Sequence, residues 1–246
     1  MTTKHLIIPD CQVKPNVDIS YLEWVGNYIE TKRPDVIVCI GDFADMYSLN
    51  KYDAGTKSYE GSRYKDDLAS AHEGMNLLTK PFRKKGKYKP RMVLTLGNHE
   101  DRITRVANSD PKLSGTIQMS DLQYEDFGWE VVPYLVPIVI DGIAYAHYFT
   151  SGVMGRPVPN AKQLVIKKHM SATMGHVQNW EIHREVRADG RAVIGLFSGS
   201  CYLHNEDYLG PQGNTYDRGI WVKHEVSEGS YHPLYVSLPY LASKYS

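Results

Sequence analysis

No stretch of this 246-residue chain approaches the roughly 20 consecutive apolar residues of a membrane-spanning helix. The opening MTTKHLIIPDCQ also lacks the long apolar region of a secretory signal, so a cytoplasmic protein with no membrane partner is expected. Cysteine is scarce. Cys11, Cys39 and Cys201 are odd in number and scattered, which argues against a disulfide framework and provides no paired thiols for a structural zinc. Net charge is absent as well, since Lys plus Arg and Asp plus Glu both total 28. A general electrostatic grip on nucleic acid is therefore not indicated, although a local basic patch stays compatible with that balance. Phenylalanine numbers 5 against 18 tyrosines, so much of the aromatic surface carries a hydroxyl and suits loops. No internal repeat, low-complexity tract or Pro/Gly-rich linker divides the chain, and a single domain over residues 1–246 is expected.

What is present is an alternation of apolar runs and helical patterns. HLIIPD reads as a first strand, DVIVCIGD as a second and RMVLTLGN as a third. Between them, DISYLEWVGNYIETKRP carries Leu22, Val25 and Ile29 on one helical face, with Asp18 as the expected N-cap. RYKDDLASAHEGMNLLTKPF repeats the helical period through Leu68, Ala71, Met75 and Leu78, and HEDRITRVAN begins another helix. This βαβαβ order predicts a parallel sheet with right-handed crossovers. The second half is richer in strands. WEVVPYLVPIVIDGIAYAHYF holds two strand-like runs turned at Asp141-Gly142, and EIHREVRADGRAVIGLFSGS is a hairpin turned at Asp189-Gly190. GIWVKHEV and PLYVSLPY are read as the last strands. The expected fold class is α/β, with two mixed sheets packed face to face.

The polar residues gather where apolar runs stop. Asp10-Cys11-Gln12, Gly41-Asp42-Phe43-Ala44-Asp45 and Gly97-Asn98-His99-Glu100 each follow one of the first three strands. In a parallel sheet those ends share one edge, where open α/β folds bind ligands. His147 follows GIAYA, and Gly175-His176-Val177-Gln178 follows SATM. Carboxylates, amides and imidazoles of this kind suit Mn2+, Mg2+, Fe2+ or Zn2+.

This ordered set resembles the calcineurin-like metallophosphoesterase superfamily, whose pattern runs D-x-H, G-D-x-x-D, G-N-H-[DE], a lone His and G-H-x-H. The resemblance spans Asp10 to Gln178 and implies a two-sheet sandwich flanked by helices. It also implies a hydrolase with two divalent ions, Mn2+ favoured and Mg2+, Fe2+, Ni2+ or Zn2+ compatible, sharing a carboxylate and a water or hydroxide. Carried over by position, Asp42 would bridge the ions, and Asn98, His147 and His176 would complete one site. Asp10, Gln12 and Gln178 would form the other, with glutamine at two positions where the family pattern has histidine. A neutral amide oxygen is a harder ligand than imidazole, which shifts preference towards Mn2+ or Mg2+. Hydrogen bonding around a single metal, without direct ligation, is the other reading of the two glutamines. His99 would serve as general acid on the leaving-group oxygen, oriented by Asp45.

The favoured substrate is a phosphodiester in a nucleic acid or nucleotide, because the loops leaving the motif edge are long and tyrosine-rich. Arg63, Arg102, Arg156 and Tyr52 are the candidate substrate contacts, alongside Lys51, Tyr59, Arg105, Tyr202, His204, Tyr208 and Arg218. The alternatives are a phosphomonoesterase or protein phosphatase, disfavoured because GDFADMYS lacks Arg-Gly after its second Asp, and a degenerate binding module. The basic run KPFRKKGKYKPR enters the third strand, whereas GNHE leaves it about 20 Å away, so a solvated turn is expected there.

Overall fold

The computed structural model describes residues 2–52, 55–83, 88–206 and 216–246. Strand β1 (Thr3–Ile8), helix α1 (Tyr21–Lys32), β2 (Val36–Cys39), α2 (Tyr64–Arg83) and β3 (Arg91–Thr95) follow in βαβαβ order. The three strands pair in parallel, with Leu6 beside Ile37 and Val38 beside Val93. Helix α3 (Asp101–Ser109) then leads towards β4 (Glu130–Val132), which adds parallel to β3. A second sheet holds β5 (Ile138–Ile140), β6 (Ile143–Tyr145), β7 (Ser171–Met174), β8 (Trp180–Val186) and β9 (Ala192–Ser198), with α4 (Ala161–Lys168) between β6 and β7. The chain returns to the first sheet through β10 (Gly219–Ser227) and β11 (Ser230–Ser237) and ends in α5 (Leu238–Tyr245). The strand orders are β11-β10-β1-β2-β3-β4 and β5-β6-β7-β9-β8, both mixed, as expected for a two-sheet α/β fold.

The alternation of side chains along each strand explains why the first three read as unbroken apolar runs. Leu6, Ile8, Ile37, Cys39, Met92 and Leu94 face one core with α1 and α2, while Ile7, Val38 and Val93 face the other sheet. A strand covered on both sides has no position to spare for a polar residue. The helical stripes are buried as read, Leu22, Val25 and Ile29 on α1 and Ala71, Met75 and Leu78 on α2, with Leu68 partly covered. The two helices approach closely at Gly26, where a Cβ would lie 2.4 Å from the Leu78 carbonyl oxygen.

Two local expectations are corrected. Asp18 is not the N-cap of α1: Ser20 occupies that position, and the Asp18 carboxylate accepts from the Ser20 amide in a turn just before the helix. PLYVSLPY is a strand only as far as Ser237, whose hydroxyl oxygen accepts from the Tyr240 amide and starts α5 at Leu238-Pro239. Proline in a first turn gives up only an amide that has no helical partner. Of the basic run, Lys84 to Lys87 lie outside the described residues, and Tyr88 to Pro90 lead into the start of β3, at the end remote from Gly97. Among the described residues no helix is long and apolar enough to cross a membrane.

One buried lysine lies away from the strand ends. Lys223 of β10 is fully buried between the sheets, with Nζ 4.5 Å from the ring centres of both Tyr145 and Tyr231. Its amine donates to the hydroxyls of Tyr145 (3.3 Å) and Thr173 (2.5 Å), and no carboxylate pairs with it among the described residues. Burial therefore lowers its pKa well below the ordinary lysine value. The unfolded chain takes up a proton that the folded chain refuses, so stability from this group rises with pH towards the free lysine value of about 10.4 and falls as pH drops. Lys223→Met is expected to raise the melting temperature at pH 7 and to flatten its rise between about pH 8 and 10. A melting temperature lower than wild type with the same pH slope would contradict this reading.

Candidate metal centre

Six parallel strands deliver their following residues to one edge. Asp10 comes after β1, Asp42 after β2, Asn98 after β3, His147 after β6, His176 after β7 and Ser200 after β9. An isolated parallel bridge between Asp10 and Ser200 joins the two sheets there. The backbone must turn at once after each strand, and Gln12, Asp42 and His176 all take left-handed φ values of 46°, 48° and 66°. Such φ is uncommon outside glycine and clusters at functional turns. Glycines supply the clearance. A Cβ on Gly97 would lie 2.0 Å from Asp42 Oδ1, and one on Gly175 would lie 2.3 Å from Asp10 Oδ1.

Glu100 holds these turns together. Its fully buried carboxylate accepts from the amides of Asp42 (3.0 Å), Ala44 (3.0 Å) and Gly97 (2.9 Å), and from the Tyr124 hydroxyl at 3.3 Å. It links the second and third motifs through their main chains and was not singled out from sequence. The only signal was its place as the acid closing GNHE. In Glu100→Gln one acceptor becomes a donor facing amides, which costs about 1–3 kcal/mol. Urea unfolding measures it, and a midpoint equal to wild type would show that the carboxylate is not the clamp.

Asp42, His147 and His176 each present one ligand atom, all within 4.8 Å of one another. His147 Nδ1 donates to the Ile40 carbonyl at 2.9 Å, which turns Nε2 towards Asp42 Oδ2 (3.2 Å) and Asn98 Oδ1 (2.9 Å). His176 Nδ1 reaches the same Asn98 oxygen at 2.8 Å. Asp10 is fully buried, and both its oxygens accept from the His176 amide. Gln12 is equally buried, and its Oε1 has no hydrogen-bond partner among the described residues. The Gln178 oxygen, by contrast, accepts from the Tyr202 hydroxyl at 2.5 Å. The two glutamines expected in one site are thus unlike: one amide is unsatisfied and the other already engaged.

The charges are crowded in the way a cation would relieve. Burial pushes Asp10 up to about 7, with a further push from Asp42 that His147 opposes. Burial would raise Asp42 too, but the imidazoles of His147 and His99 hold it far below the carboxylate range. Burial works against a charged His147, yet Asp42 and Asp10 lift it to about 9, so a proton sits where a metal would exchange for it. His176, lowered to about 4 by burial and by His147, keeps its lone pair. One carboxylate and two imidazoles facing one point, with the buried Asp10 carboxylate on the His176 amide and the unsatisfied Gln12 oxygen on the same strand-end turn, form a donor set that fits divalent ions.

Beside this cluster, His99 donates from Nδ1 to Asp45 Oδ1 at 2.7 Å, and its Nε2 lies 3.7 Å from Asp42 Oδ2. Asp42 and Asp45 raise the imidazole pKa against the effect of burial. Asp45 in turn is held down to about 2, burial notwithstanding, by His99, Arg102 and Lys14. Arg102 Nη1 donates to the Asp45 carboxylate (3.0 Å) and main chain (2.6 Å), so this candidate substrate contact also steadies the His99 partner. Lys14, which the motifs did not mark, lies 3.6 Å from Asp45 and is paired at 2.9 Å with Glu206.

The remaining candidates are dispersed. Tyr52 lines a cavity next to His99, but Arg63 and Arg156 do not. Arg63 is exposed before α2 with its guanidinium on the Ser62 carbonyl, and Arg156 is exposed in the loop after Phe149. Arg105 donates to the Asn98 carbonyl. Tyr202 stacks on His204 at 4.6 Å, under Arg218 at 4.7 Å. Tyr208 lies outside the described residues. Tyr148, unmarked in the sequence because tyrosine is common in loops, packs its ring 4.8 Å from that of His176.

No protein-family model matches the sequence, and no curated protein matches it significantly. Among solved structures the chain is similar to wild-type Vps29 complexed with zinc from Entamoeba histolytica, at 13% identity and a TM-score of 0.39 over 96% of this chain and 99% of that one. It is also similar to a conserved uncharacterized protein, a predicted phosphoesterase, from Streptococcus pneumoniae TIGR4, at 12% identity and 0.37 over 96% and 99%. The chain has the expected α/β architecture of two mixed sheets flanked by helices, and five of its strands end on the ordered residues Asp10, Asp42, Asn98, His147 and His176, with glutamine at two positions where the resemblance implies histidine.

Proposed function

We propose that this chain is a metal-dependent phosphoesterase that hydrolyses a phosphodiester of a nucleic acid or nucleotide. The observation that carries the reading is the convergence of Asp42, His147 and His176 on one point, with Asn98 between the imidazoles and the unpartnered Gln12 oxygen nearby. Asp42, Asn98, His147 and His176 would hold one ion, and Asp10, Gln12 and Gln178 a second, with Asp42 shared. When bound, such ions supply Lewis-acid polarisation of the phosphoryl group and acidify water, with Mn2+ favoured by the neutral amide donors.

The chain's own groups do the rest. Glu100 fixes the turn that carries Asp42, and the Ile40 carbonyl fixes the ring of His147. Asp45 takes the Nδ1 proton of His99 as a hydrogen bond, which leaves Nε2 directed at the cluster to give a proton to the departing oxygen. Arg102 holds Asp45 in that pose. Hydrolysis of bis(p-nitrophenyl) phosphate with and without added Mn2+ tests the reading. Metal-dependent release of nitrophenolate is expected, and its absence with Mn2+, Mg2+ and Zn2+ alike would favour a binding module on the same scaffold.

A further inference from the structure

The cavity on the His99 side of the cluster has a volume of about 360 Å³. His99 and Asn98 form its inner wall, and Tyr47, Asn50, Tyr52 and Glu206 stand around it. Small-molecule pockets run from about 300 to 1,000 Å³, so this one admits a single monomer unit and not an oligomer.

Its charges are spent on one another. Arg102 and the protonated His99 are the cations among the described residues that line it, and both are committed to Asp45, Arg102 through Nη1 to its carboxylate and main chain and His99 through Nδ1 at 2.7 Å. Behind the wall, the Lys14 ammonium donates to both oxygens of Glu206, at 3.0 and 2.9 Å, and lies 3.6 Å from Asp45. Each cation here is thus already held by a carboxylate, Arg102 and His99 by Asp45 and Lys14 by Glu206. A phosphate entering here would meet acidic groups whose counter-ions are already held, and like charges brought together in a poorly solvated place repel strongly. The aromatic side chains suit a flat uncharged group. Tyr52 is 92% exposed, and Tyr47 has Lys14 over its ring at 5.6 Å and Tyr59 beside it at 6.1 Å. Ring faces of this kind stack on nucleobases without a sequence preference. Asn50 and Glu206 add polar groups to the lining, the Asn50 oxygen accepting from the Tyr52 amide at 3.1 Å and Glu206 held by Lys14 and by His204 at 2.7 Å.

We propose that this cavity receives the leaving group of the reaction, and that the leaving group is a nucleoside carrying no further phosphate. The inference rests on the phosphoesterase reading, because His99 faces the departing oxygen only if the cluster holds the phosphoryl group. It goes beyond that reading by assigning the occupant of one side of the scissile bond and excluding a charged one.

A dinucleoside monophosphate and the same compound with a phosphate on its leaving nucleoside separate the possibilities, with bis(p-nitrophenyl) phosphate as the reference ester. The expected kcat/KM is about tenfold or more higher for the uncharged leaving nucleoside, and Tyr52→Ala should reduce that ratio several-fold. Equal rates for the two dinucleotides, or a preference for the phosphorylated one, overturn the proposal, and nitrophenolate release in the same preparation shows that the phosphoesterase reading survives it. If none of the three esters is hydrolysed, adenosine binding followed by saturation-transfer NMR decides. Binding weakened about tenfold by Tyr52→Ala supports the pocket. No binding at millimolar adenosine, or binding indifferent to that substitution, overturns it.

Discussion

Asp42→Asn is expected to lower turnover by about 10²–10³-fold or more under saturating Mn2+, the scale on which a preorganised charge acts in an active site. Asp42 stands between His147 and His99. Its Oδ2 lies 3.2 Å from His147 Nε2, and its Oδ1 accepts from the His99 amide. Asparagine keeps the shape and tolerates the left-handed φ of 48°, so the main-chain grip of Glu100 should survive. What it loses is the negative charge, and two cations would then face each other across a neutral amide. A melting curve like that of wild type would show that the fold is kept. Activity within about tenfold of wild type would sink the assignment of Asp42 as the shared ligand.

His99→Ala should lower kcat by about 10²–10⁴ on esters with poor leaving groups, the usual range for loss of a general acid. A nitrophenolate needs little protonation, so the loss on that substrate should be much smaller. The geometry supports the difference. Nδ1 is occupied by Asp45 at 2.7 Å, and Nε2 is the atom directed at the cluster. The alanine variant retains the amide that binds Asp42, which leaves the metal side of the turn supported. Asp45→Asn should act in the same direction more mildly. Equal losses on both classes of ester would make His99 a positioning residue and not the acid.

The site was legible because its residues follow directly on apolar strands, so that strand order alone brings Asp10, Asp42, Asn98, His147 and His176 to one edge. Groups that reach the site from other parts of the chain were not. Lys14 and Glu206 meet at 2.9 Å although they are 192 positions apart, and no local pattern marks either. Period-two alternation places Lys223 in a strand but says nothing of an amine set between two tyrosine rings. Helix α4 leaves no clear signal in the sequence, and α5 reads as a continuation of the last strand, since eight residues give too little periodicity to outweigh neighbouring β-formers. The glutamines show the limit from the other side. The sequence treats Gln12 and Gln178 as a matched pair, but the fold leaves one amide oxygen unsatisfied and ties the other to Tyr202. Gln12 is the stronger candidate to ligate directly, and Gln178 can do so only through its second lone pair or by releasing Tyr202.

The central claim is that these residues hold two ions, and anomalous diffraction from crystals soaked in millimolar Mn2+ tests it most directly. The account predicts two peaks about 3.5–4 Å apart that share Asp42. One should be completed by Asn98, His147 and His176, and the other should touch Asp10 and the Gln12 amide oxygen and show lower occupancy. A single peak with both glutamine amides beyond coordination distance would contradict it.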